Sequence, residues 1–152
     1  MKQNLLGLDA EGLARFFEGR IAVTVLESPE IGIIGVGEGA FPTIRSTLQF
    51  LGIDESRFIR EASATFKQGI RFDDWLHAPA SDGTHHHYLH PFDAPFYTEG
   101  TSLIPYWLLE DPTSRPPFAE AMTIQNRVAA ARRAPKRIGE GEYSGPLNYA
   151  YH

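Results

Sequence analysis

The run IAVTVLE (residues 21–27) is β-branched and nearly all apolar. A strand of that kind is at home only where both faces of a sheet are covered, as in parallel α/β folds. The segment before it, LDAEGLARFFEGR, predicts a short helix. Asp9 is its cap, Leu13, Phe16 and Phe17 its apolar stripe, and Gly19 its stop. A helix feeding a buried strand is half of a βαβ unit, so the fold class expected is α/β. No strand pattern precedes that helix in the sequence.

Composition narrows the function classes. A chain of 152 residues supports one modest core, and one domain is the expectation. The net charge of -5 gives no general attraction to nucleic acid or to an anionic membrane. The absence of cysteine removes disulfides, thiolate metal sites and thiol nucleophiles together. The N-terminus lacks a signal-peptide pattern and no apolar run reaches membrane-spanning length, so a cytoplasmic protein is expected. Fourteen glycines and eleven prolines are many for this size, and the second half is rich in them. That points to long excursions that need something larger to lie against.

Further along, Ile44, Leu48 and Leu51 recur at helical spacing before Gly52, and Asp54 caps a second helix carrying Phe58 and Ile59. ATFKQGIRFDDW (residues 64–75) predicts one strand, with Phe66, Ile70 and Phe72 on one face and Lys67, Gly69 and Arg71 on the other. Residues 75–117 read as loop with a short helix near SLIPYWLLE. SRPPFAEAMTIQNRVAAARRAP (residues 114–135) reads as the clearest helix, with Ser114 near its start and Pro135 after it. The tail is turn-rich.

Several constellations carry chemistry. Glu27 ends the apolar strand where a dinucleotide fold places a carboxylate against the adenosine ribose, or it is a solvated strand-end residue. GVGEGA follows that glutamate instead of preceding it, so it lacks the spacing of a phosphate cradle. Lys67 sits mid-strand beside Gly69, which leaves room next to the ammonium. It is a candidate donor or nucleophile, or else pairs with Asp73 or Asp74 on a solvated face. His85, His86, His87 and His90 are nitrogen ligands in type, but adjacent histidines splay apart and no metal site is assigned. Asp82 and Asp93 read as ordinary loop carboxylates. In HPF, His90 offers a donor and Phe92 a stacking face for a flat ligand, against the simpler alternative of a buried core. The basic RVAAARRAPK reads as a solvated helix face, not a nucleic-acid patch.

Taken in order, VTVLESPEIGIIGVGEGAFPTIRSTLQFLGIDESRFIREASATFKQGIRFDDW resembles the N-terminal part of the flavin-dependent tryptophan halogenases. LESPEIG…VGE…P.IR…FLGI and ATFK.GI.F are the most specific portions. The resemblance implies a partial Rossmann-like, flavin monooxygenase-like FAD-binding domain over residues 1–152. The first strand with its glycine fingerprint and the C-terminal two thirds are then missing. Also outside are the GWxWxIP signature and the glutamate that cooperates with the lysine. The implied reaction is halogenation of tryptophan or an indole-like arene by reduced FAD, oxygen and halide, with a separate flavin reductase as partner. Lys67 then matches the catalytic lysine. Glu27 and Ser28 lie near the adenosine, and Ile31, Ile34, Glu38 and Gly39 belong to the flavin-contacting strap. Gly39 stands where alanine is common. His90 and Phe92 orient the indole. The alternatives are an inactive truncated or pseudogene product, a small histidine-rich metal-binding module, and an aromatic hydroxylase of the flavin class.

Overall fold

Apolar spacing and local caps set the helices of the first part of the chain. A computed structural model describes residues 12–24, 26, 28–31 and 39–152. Residues 12–16 form α1, and Gly19, with φ +75°, ends it by donating to the Ala14 carbonyl. The expected cap Asp9 lies outside the described residues. The stripe is not buried as expected: Leu13 and Phe16 are exposed. The described residues of the expected strand, 21–24 and 26, are likewise exposed and take no regular structure. Apolar content alone does not make a strand; it needs neighbours to pair with, and none pairs with it among the described residues.

Two compact units divide the chain, one of Met1–Thr65, Gly141–Tyr143 and Ala150–His152, the other of Phe66–Glu140 and Ser144–Tyr149. In the first, α2 (Ile44–Phe50) turns its apolar side inward, leaving Leu48 and Leu51 buried. Gly52 closes it at φ +69° in a Schellman arrangement: Gly52 N–H donates to Gln49 and Ile53 N–H to Leu48. Asp54 then caps α3 (Glu55–Glu61), its carboxylate accepting from Arg57 N at 2.6 Å. That bond holds the Asp54 pKa down at about 2, with help from the Ser56 hydroxyl. Glu55 is a buried carboxylate held by Tyr143 N and Tyr151 Oη, both at 2.7 Å. Tyr151 lies in β6 (Ala150–Tyr151) and meets Phe58 edge-on at 5.0 Å. Thr65 and His152 exchange both backbone hydrogen bonds.

The second unit is built on a short antiparallel ladder. The expected single strand is split into β1 (Phe66–Lys67) and β2 (Gly69–Asp73), with buried Gln68 between them. β2 pairs with β3 (His87–Pro91) in the register Gly69↔Pro91, Ile70↔His90 and Asp73↔His87. β3 and the small β4–β5 hairpin (Tyr97–Thr98, Thr101–Ser102) lie in a region expected to be mostly loop. The short helix expected next is present as α4 (Ile104–Leu109), with Pro105 in its first turn.

The long helix expected over 114–135 is broken. α5 (Phe118–Met122) starts after Pro117, and Ser114 belongs to the preceding turn. α6 (Gln125–Ala130) starts afresh after Thr123, which is extended at φ -156°, ψ 155°. The cause is polar: Thr123 Oγ1 accepts from Gln125 N at 3.1 Å, the bond a cap residue makes. Both residues are buried, and their remaining bonds run to distant parts of this unit. Tertiary hydrogen bonds outweigh a helix preference worth tenths of a kcal/mol per residue.

Candidate active site

Lys67 ends β1, half-buried, and its ammonium lies 5.6 Å from the centroid of the Phe92 ring. That is within cation–π range. The contact arises because Phe92 continues the β2–β3 ladder, its N–H donating to the Gln68 carbonyl at 3.0 Å. Neither aspartate expected to pair with the lysine is bound to it. Asp73 accepts from Arg71 Nε at 2.8 Å, and Asp74 pairs with His85 Nδ1 at 2.7 Å. The His85 bond holds the Asp74 carboxyl below its ordinary range.

The role expected of Gly69 changes. A Cβ there would stand 2.5 Å from the His90 carbonyl oxygen and 3.0 Å from Pro91 Cα. The glycine does not leave open space beside the ammonium; it lets the backbone of β3 come close. His90 and Phe92 stand two residues apart along β3 and its extension, as alternation requires for one face. His90 is exposed and Phe92 half-buried. The other aromatics of this stretch largely pack on each other. Phe72 stacks on Tyr88 at 5.1 Å, and Trp107 meets Phe118 edge-on while Arg115 covers it at 3.9 Å.

Sequence reasoning missed the polar network behind Phe92. Asp93, expected to be an ordinary loop residue, donates its N–H to Gln125 Oε1 at 2.7 Å. Its carboxylate accepts from Thr123 Oγ1 at 3.3 Å and from Asn148 N at 3.3 Å. Gln125, fully buried, closes the circuit by donating Nε2 to the Asn148 carbonyl at 2.5 Å. Thr123, a cap former inside a helical run, was the one local signal available.

The histidines sort differently. His77, His85, His86 and His87 line a shallow cavity of about 390 Å³ at the turn joining β2 to β3, and His77 and His86 meet edge-on at 5.1 Å. Among the described residues no three histidines or carboxylates are placed to hold a metal ion. Of the residues matched to flavin, Ser28, Ile31 and Gly39 are exposed, while Glu27, Ile34 and Glu38 lie outside the described residues. A cavity of about 240 Å³ in the first unit is lined by Gln49, Gly52, Ile53, Asp54, Glu142 and Tyr143. Its two carboxylates make it unsuited to a pyrophosphate. No helix among the described residues is long and apolar enough to cross a membrane.

Comparison with known proteins decides the family. The tryptophan halogenase family profile matches residues 8–152. The chain belongs to the tryptophan halogenase family. It is 34% identical over 131 residues to the 7-chloro-L-tryptophan 6-halogenase KtzR of Kutzneria sp. (strain 744), covering 86% of this chain and 24% of that protein. The crystal structure of a tryptophan halogenase from Shewanella frigidimarina matches with a TM-score of 0.77 and 39% identity, over 97% of this chain and 29% of that one. BrvH, a flavin-dependent halogenase from Brevundimonas sp. BAL3, matches with a TM-score of 0.66 and 28% identity, over 95% of this chain and 28% of that one. This halogenase-family chain therefore spans about a quarter of the length of the curated relatives it matches. The α/β class expected from the sequence agrees with these structures.

Proposed function

We propose that this chain supplies the lysine and the indole-facing residues of a flavin-dependent halogenase acting on tryptophan or an indole-like arene. The observation that carries the proposal is the Lys67 ammonium 5.6 Å from the Phe92 ring centroid, in a member of the tryptophan halogenase family. A half-buried ammonium beside an aromatic face offers a donor and a stacking surface at one place.

When bound, reduced FAD with oxygen and halide would supply hypohalous acid, the reduced flavin coming from a separate reductase in the cytoplasm. Ser28, Ile31 and Gly39, exposed as they are, do not by themselves form a cradle for a dinucleotide-sized group. Lys67 has two chemically sound roles. Its ammonium can donate a hydrogen bond to the oxygen of hypohalous acid, drawing electron density from the halogen. Alternatively its neutral amine takes the halogen with release of water and passes it on as a haloamine. In either case an indole carbon gains the halogen and loses its proton, so that arene plus hypohalous acid yields haloarene plus water. Phe92 stacks on the indole and His90 donates to or flanks it, which fixes the ring carbon that faces the lysine.

The test is a complete mixture of flavin reductase, FAD, reduced nicotinamide, oxygen, bromide or chloride and tryptophan, read by mass spectrometry for monohalotryptophan. With these residues set in a full-length halogenase, product forms, and Lys67→Met in the same frame forms none while binding tryptophan normally. Equal product from Lys67→Met would remove the lysine from the mechanism.

A further inference from the structure

From the network behind Phe92 we infer that Gln125 is a positioning residue, whose amide holds the 92–93 peptide and thereby sets the Phe92 ring against the Lys67 ammonium. The inference rests on the proposed indole-facing role of Phe92. Phe92 is tied on both sides, through the peptide that precedes it and the one that follows. Phe92 N–H donates to Gln68 O at 3.0 Å, and Asp93 N–H donates to Gln125 Oε1 at 2.7 Å. Gln125 is itself immobilised, because Nε2 donates to the Asn148 carbonyl and its backbone N–H to Thr123 Oγ1.

The arrangement has no local purpose in the helix. An amide with no exposed surface loses water at both ends and is tolerated only where each end finds a partner. Here both side-chain partners come from other segments, Asp93 just after β3 and Asn148 near the C-terminus. Asp93 repeats the linkage with its carboxylate, accepting from Thr123 Oγ1 and Asn148 N. The Phe92–Asp93 pair is thus held from three segments. Phe92, next along the backbone, inherits that rigidity. A stacking ring placed within tenths of an ångström is what selection of one ring carbon requires.

The experiment reads the Lys67–Phe92 contact by NMR, so it needs neither flavin nor turnover. The Lys67 ε-methylene protons carry an upfield ring-current shift that Phe92→Leu abolishes. Gln125→Met, close in length but without either hydrogen bond, loses most of that shift. Thr123→Val serves as the second variant should Gln125→Met fail to fold, and it loses part of the shift. A Lys67 shift unchanged in a folded Gln125→Met, or in Thr123→Val where only that variant folds, overturns the inference. Tryptophan titrations separate it from the functional proposal. Gln125→Met and Phe92→Leu weaken binding by similar factors and the double variant by little more, as residues acting as one unit do. Full additivity there overturns the coupling. If the ring shift responds as stated while tryptophan does not bind the wild-type protein, the functional proposal fails and the positioning role stands.

Discussion

Replacing Gly69 with alanine tests the geometry on which the candidate site stands. The new methyl carbon would lie 2.5 Å from the His90 carbonyl oxygen and 3.0 Å from Pro91 Cα, both of them backbone atoms that no rotamer change can move. Ordinary contact begins near 3.4 Å, so β3 must retreat from β2 by most of an ångström at that register. Overpacking of this kind costs about 1–3 kcal/mol. Alanine restricts the unfolded chain and returns about 0.4–1 kcal/mol. The net destabilisation is then about 1.3 kcal/mol at the midpoints of those ranges, which for a domain of this size lowers Tm by roughly 3–5 °C. Urea denaturation followed by tryptophan fluorescence and a thermal melt by circular dichroism both read it. Because the strand that must move carries His90 and leads into Phe92, the Lys67 ring-current shift falls in the same variant. A Gly69→Ala protein as stable as wild type, with the lysine shift intact, would refute the close approach of β3.

Other outcomes follow from the same contacts. Asp54→Ala removes the α3 cap and lowers the midpoint of urea denaturation. The Asp54 pKa lies at about 2, below its ordinary 3.8, so the cap's contribution is complete above the ordinary value and is lost as pH falls through about 2. An acid titration of the Asp54 carboxyl carbon by NMR shows the low midpoint, and a midpoint near 3.8 contradicts it. Tyr151→Phe removes one donor from buried Glu55 and costs about 1.5–3 kcal/mol, the range for a bond to a charged group. Glu55→Leu combined with Tyr151→Phe recovers none of that loss, because it also takes away the acceptor of the Tyr143 N–H, as a denaturation cycle shows. His85→Ala releases Asp74 from the bond that depresses it, so the Asp74 midpoint rises toward the ordinary carboxylate value in the same titration.

What the sequence made legible was local. Gly52 as a helix stop and Asp54 as a cap depend on bonds three to five residues long, and both stand as expected. Family motifs carried Lys67, His90 and Phe92 as candidates, and the structure brings Lys67 and Phe92 together through the ladder between β2 and β3. What stayed illegible depends on distant partners. Thr123 and Gln125 break a strongly helical pattern only because Asp93, thirty residues upstream, and Asn148 downstream supply bonds that no helix could. β3 is hidden in HHHYLHP, where polar histidines mask an alternation that only the pairing with β2 reveals. Gly69 had a visible role but the wrong occupant: the space it leaves is filled by the β3 backbone. Residues 21–26 have the composition of a buried strand, and composition says nothing of which strands are there to flank it.

Tryptophan titrated into isotope-labelled protein, followed residue by residue by NMR, tests the central claim most directly. The account predicts that resonances of Lys67, His90 and Phe92 move together with a single Kd, while those of His77, His85 and His87 stay in place. Shifts centred on the histidine-lined cavity, or none at Lys67 and Phe92, would contradict it.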